Sequence, residues 1–172
     1  MIKAIQTEYN GYLFRSRLEA RYAVFLHSLH IRWEYEVEGF ILDNGEWYLP
    51  DFYLPDFDGG MWMEVKPTYF SEQEKERCRL LCLGTKKSVW LANGTPNFTV
   101  YEVFYFDEQL GVIEGDGMPN ADQAEHENRM YGMTGYGEAG QIIEAKFRHL
   151  VGDTLSNAVL EARQARFEFI NK

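Results

Sequence analysis

Three ionisable side chains stand among aromatic and aliphatic neighbours between positions 47 and 67: Asp51, Glu64 and Lys66. Asp51 follows Pro50 at the end of one apolar run, and Glu64 and Lys66 sit two apart inside the next. Between the runs, Asp56-Phe57-Asp58-Gly59-Gly60 has the composition of a chain reversal. The stretch therefore predicts a β-hairpin. Residues two apart in a strand share a face, so Glu64 and Lys66 point one way while Met63 and Val65 point the other, into a core. Pairing of the two arms can bring Asp51 beside Glu64. Two carboxylates and an ammonium on one wall could hold a hard divalent cation and a phosphate.

Several elements must position these groups. Ser16, with Glu19 three residues on, matches a capping box and opens a helix expected over 16–30. Its buried stripe is Leu18, Tyr22, Phe25, Leu26 and Leu29. Residues 1–13 read as an extended edge with a turn at Asn10-Gly11. Residues 31–37 alternate as a half-exposed strand, and 39–42 form a short strand before the turn Asp43-Asn44-Gly45. After the hairpin, Ser71 opens a second helix that Gly84 is expected to end. Strands are expected over 88–92, 100–106 and 111–114. Residues 115–153 are glycine-punctuated and acidic, and read as an irregular insertion with one short helix near 138–150. A closing helix is expected over about 155–169. The order predicts one α/β domain over 1–172, with a mixed central sheet flanked by helices: a core at about 12–114, the insertion, the closing helix and an irregular C-terminal extension.

The 172 residues carry a formal charge of −10, from 17 Lys and Arg against 27 Asp and Glu. That balance opposes nucleic-acid binding driven by surface charge alone. The charge is uneven, however: Arg15, Arg17 and Arg21 cluster on the first helix as candidate phosphate ligands, and much of the acid lies in 102–144. No apolar run approaches the roughly 20 residues of a membrane span, and the first residues lack the order of a secretion signal. A cytoplasmic protein without a membrane partner is expected. Cys78 and Cys82, four apart on the second helix, read as half-buried thiols rather than a disulfide or a zinc site. The four histidines form no metal motif.

The arrangement Pro50-Asp51 … Glu64-Val65-Lys66 resembles the PD-(D/E)XK nuclease superfamily. Arg15-Ser16-Arg17-Leu18-Glu19-Ala20-Arg21 is similar to the first helix of many such nucleases, and Ala162 to Glu168 resembles their tail. The likeness covers about 12–106 well and 155–169 loosely, and is closest to the small stand-alone members of phages and mobile elements. It implies a restriction-endonuclease-like core and Mg²⁺- or Mn²⁺-dependent hydrolysis of DNA phosphodiesters. The metal ligands would be Asp51, Glu64, the Val65 carbonyl and Glu19. Lys66 would orient the attacking water and stabilise charge, and Arg15, Arg17 and Arg21 would bind nucleic acid. It further implies action as a homodimer or with a host or phage protein, in the host cytoplasm if phage-encoded.

Blander readings stand beside these. Asp51, Glu64 and Lys66 could form a surface salt bridge on an edge hairpin. Glu19 could serve only as a cap partner, since a cap turns it back towards Ser16. Tyr35, Trp47, Tyr48 and Tyr53 read as core or sheet surface, with stacking on a base the lesser reading; Gln73 reads as solvated helix, and Asp56 and Asp58 as turn-formers. The alternative function is a non-catalytic module on the same fold that engages a host protein. An acidic mimic of DNA would need ordered carboxylates, which the glycine-rich stretch does not suggest.

Overall fold

The computed structural model describes residues 4–55, 57, 59–96, 101–120, 132–137 and 154–167. Asp56, Asp58 and the helix expected near 138–150 lie outside them. The N-terminal edge is a hairpin of β1 (Thr7–Tyr9) and β2 (Tyr12–Phe14). It turns on Asn10 and Gly11 at φ 52° and 80°, the pair of positive angles that an Asn-Gly turn supplies at least cost. Helix α1 (Arg17–Ser28) follows, capped by the Ser16 side chain, which accepts from the Glu19 N–H.

Among the described residues the main sheet has seven strands. In spatial order they are β11 (Gly132–Gly137), β10 (Gly111–Asn120), β9 (Tyr101–Asp107), β8 (Ser88–Asn93), β7 (Met61–Lys66), β6 (Phe52–Leu54) and β3 (Glu34–Tyr35). Only β7 and β8 run parallel. Helix α2 (Glu72–Thr85) joins them in a βαβ crossover, so the protein is mixed α/β with helices on both faces. The alternation of β7 divides the core. Met61, Met63 and Val65 pack with α1 and with α3 (Thr154–Gln164). Trp62 faces the other way, with Cys78, Leu81 and Cys82 of α2.

Four expectations are corrected. The first arm of the hairpin is split: β5 (Trp47–Tyr48) pairs with β4 (Phe40–Ile41) in a small separate sheet, and only β6 pairs with β7. Leu49-Pro50 lies at the break, and Pro50 has no N–H to continue a ladder. The strand expected over 31–37 shrinks to Glu34–Tyr35 because Glu36 adopts φ 47°. Helix α2 runs past Gly84 to Thr85, whose hydroxyl donates to the Leu81 carbonyl at 2.7 Å. Lys86 takes the left-handed terminating position instead. Finally, the segment expected to be irregular from 115 onward extends β10 to Asn120 and supplies β11, paired from Gly115↔Gly137 to Asn120↔Gly132.

Candidate active site

Antiparallel pairing of β6 with β7 sets Phe52 opposite Met63. One residue further along that register, Asp51 falls opposite Glu64. Period-two alternation then puts Glu64 and Lys66 on the α2 side, away from Met63 and Val65. Asp51 and Glu64 are 2 % and 4 % exposed. Asp51 Oδ2 accepts from the Val65 N–H at 2.8 Å, and Oδ1 accepts from Arg15 Nη2 at 2.6 Å. Glu64 Oε1 lies 2.5 Å from Lys66 Nζ, while Glu64 Oε2 is buried with no hydrogen-bond partner. Together with Arg15, Glu19, Trp47, Tyr48 and Arg77, these groups line one cavity of about 830 Å³.

Glu19 reaches the wall of this cavity with its oxygens engaged. Oε1 accepts from Ser16 Oγ at 2.7 Å, and Oε2 accepts from the Arg15 N–H at 3.1 Å and from the Tyr35 hydroxyl. The cap therefore holds this side chain in the geometry described. Of the three arginines, only Arg15 lines the cavity. It bridges Asp51 and Glu36, with Nε 2.5 Å from Glu36 Oε1. Arg21 turns the other way and donates to the Ala162 carbonyl of α3 at 3.3 Å, so it joins two helices instead of facing the site. Gln73 is exposed and outside the cavity lining.

One lining residue escaped the sequence reading. Arg77 sits on α2 with Nη2 2.7 Å from Glu46 Oε1; in the sequence it is one of three alternating basic residues, Lys75, Arg77 and Arg79, and nothing singles it out. Trp47, expected in the core or on the sheet surface with base stacking as the lesser reading, stands outward on β5, 61 % exposed. The two cysteines are fully buried, not half-buried, and unbridged. Cys78 Sγ lies 3.7 Å from the Tyr48 hydroxyl. Burial is the main force raising both thiols, Cys82 to about 12, so neither is a nucleophile near neutral pH.

The electrostatics of Asp51 follow from its place. Burial pushes its pKa well above the ordinary value, and the Glu64 and Glu19 carboxylates push the same way. Lys66 and the Val65 N–H oppose this. Arg15 opposes it too, but its guanidinium is half exposed and shared with Glu36, which weakens its hold. For Lys66, burial works to lower the pKa, but the adjacent Glu64 and then Asp51 outweigh it and leave it raised. Lys66 is therefore a persistent cation.

A pH signature follows. An unfolded aspartate titrates near about 3.9, whereas folded Asp51 keeps its proton to higher pH. The resulting stabilisation is complete below the unfolded value and is lost as pH rises through the folded one. In chelator, Asp51→Asn should therefore gain thermal stability relative to the parent as pH is raised from about 4 towards neutrality. A gap in melting temperature that stays constant with pH would contradict the assignment.

Among the described residues, no cluster of three or more His, Cys, Asp or Glu side chains forms a ready metal site, and no helix is long and apolar enough to cross a membrane. Comparison of the chain with protein-family models, curated proteins and solved structures finds no match.

Proposed function

We propose that the protein is a Mg²⁺- or Mn²⁺-dependent nuclease of the PD-(D/E)XK type, hydrolysing phosphodiester bonds in DNA on a restriction-endonuclease-like core. One observation carries the reading. A buried carboxylate oxygen, Glu64 Oε2, accepts no well-formed hydrogen bond, although the Tyr48 hydroxyl lies near this carboxylate. It stands beside a second buried carboxylate, Asp51, and two residues from a cationic Lys66. A buried polar atom that accepts no hydrogen bond is costly, and oxygen donors of this kind suit a hard divalent cation. Asp51 and Glu64 would hold it, with the Val65 carbonyl as a further donor and Glu19 reached directly or through water. When bound, the cation supplies Lewis-acid polarisation of the phosphate and lowers the pKa of its water.

The chain's own residues do the rest. Lys66, kept protonated by Glu64, sets a fixed positive charge where negative charge develops on the phosphate, and it can orient the attacking water through an N–H. It is not the base, because its proton is held more tightly than usual. Arg15 offers a second guanidinium at the cavity wall for a phosphate oxygen. With a net charge of −10, the protein should bind its polyanionic substrate weakly and with strong salt dependence.

The test is incubation of linear, nicked, branched and single-stranded DNA, and of RNA, with Mn²⁺ and with chelator. Cleavage is expected with Mn²⁺ only, and is expected to be lost in Asp51→Ala and Lys66→Ala variants that keep their circular dichroism. Undiminished cleavage by either folded variant sinks the mechanism, and cleavage of RNA alone would reassign the substrate.

A further inference from the structure

The β4–β5 hairpin carries two large apolar side chains on its outer face. Its register pairs Phe40 with Tyr48 and Ile41 with Trp47. Strand alternation sends Phe40 and Tyr48 against the core on the α2 side and leaves Ile41 and Trp47 outward, 70 % and 61 % exposed. By contrast, Trp62 and Trp90 are buried. The Trp47 indole is nonetheless held in place. It lies so close over Gly39 that a Cβ there would stand 2.7 Å from Cζ2 and 2.8 Å from Nε1. It also lines the same cavity as Asp51, Glu64 and Lys66. The same cavity is lined by Arg77, whose Nε is buried without a hydrogen bond and whose Nη2 is steadied by Glu46, the residue before Trp47.

We propose that Trp47 is a stacking platform for an unpaired nucleobase, with Arg77 taking a neighbouring phosphate, so that the site accepts single-stranded or locally unpaired nucleic acid in preference to intact duplex. This rests on the nuclease reading above and names its substrate class. An aromatic ring fixed on one side and open on the other suits a base, because every base has a π-face to offer. In an intact duplex those faces are already stacked on one another. The neighbours of the ring favour a nucleotide over a protein: three cationic side chains, Arg15, Lys66 and Arg77, the last with Nε free of a hydrogen bond, line the same cavity and suit phosphate oxygens.

The test uses the full chain without a cleavage-supporting metal. Tryptophan emission is followed while titrating a mixed-sequence single strand of about 12 nucleotides, an abasic strand with the same phosphates, and the blunt duplex. The base-bearing strand is expected to quench emission and to bind about tenfold more tightly than the abasic one. Trp47→Ala should abolish that ratio, and Trp47→Phe should keep most of it. Equal affinity for the two strands, or a ratio that survives in Trp47→Ala, overturns the platform. If Mn²⁺-dependent cleavage is seen alongside that result, the nuclease reading stands and only the platform falls. If no nucleic acid is bound or cut, both fall, and capture of a protein at Ile41 and Trp47 becomes the use of this face.

Discussion

Glu64→Gln should abolish Mn²⁺ binding and lower hydrolysis by about a thousandfold while leaving the fold intact. The substitution keeps the shape of the side chain and its place in β7. It removes the charge that a cation needs and the like-charge repulsion on Asp51, which is among the causes that raise the Asp51 pKa. The variant loses the ion pair with Lys66, but Lys66 is partly exposed and can turn to water. In chelator the melting temperature of Glu64→Gln should therefore equal or exceed that of the parent. On addition of Mn²⁺ the parent should become more stable with rising concentration, as any ligand of the native state requires, and the variant should not. Calorimetric titration and a thermal scan decide the matter without a substrate. A variant that binds Mn²⁺ as the parent does would remove Glu64 from the metal site.

The second large effect is expected at Arg15, with opposite signs for two measurements. Arg15 Nη2 holds the Asp51 oxygen at 2.6 Å, so it competes with any cation for that carboxylate. Arg15→Ala removes a positive charge a few ångströms from the site, and Mn²⁺ affinity should rise about tenfold, a modest share of the Coulomb term for charges at that distance. Hydrolysis at saturating metal should fall by one to two orders of magnitude, or about 10- to 100-fold, because a guanidinium available to the phosphate is gone. Tighter metal with slower cleavage is not the signature of a damaged fold, which would weaken both. Unchanged metal affinity would mean that the Arg15–Asp51 pair does not guard the site.

The acidic pair and Lys66 were legible because strand periodicity is local. Once β7 is a strand, Glu64 and Lys66 must share a face, and antiparallel pairing with β6 brings Asp51 into register. Both helix starts were legible for a similar reason: Ser16 with Glu19 and Ser71 with Glu74 are contacts three residues apart. What escaped the sequence depends on partners far along the chain. Trp47 looks like any strand tryptophan until β5 is seen to pair with β4 and not with β7. Arg77 becomes part of the site only because α2 packs back over the sheet and meets Glu46. The end of α2 was misread because Gly84 is the usual signal, whereas Lys86 bears the left-handed angle. β11 could not be read because its strand character comes from the edge that β10 offers, and glycine-rich sequence carries little strand signal of its own.

The clamp between α1 and α3 bears on when the site comes into being. Helix α1 carries Arg15 at its entry and Glu19 in its first turn, and its Arg21 is held by the Ala162 carbonyl, 141 residues downstream. The other anchors of α3 are Ser28 with Glu161 and Arg163 with the Pro96 carbonyl. During synthesis a chain emerges from its N-terminus, so the central hairpin is made long before the helix that backs α1. The carboxylates of Asp51 and Glu64 can meet early, and the wall that Glu19 and Arg15 supply, already backed by β7, gains a further brace when α3 arrives. A chain still being translated thus carries the residues of the site before the helix that braces α1 from behind.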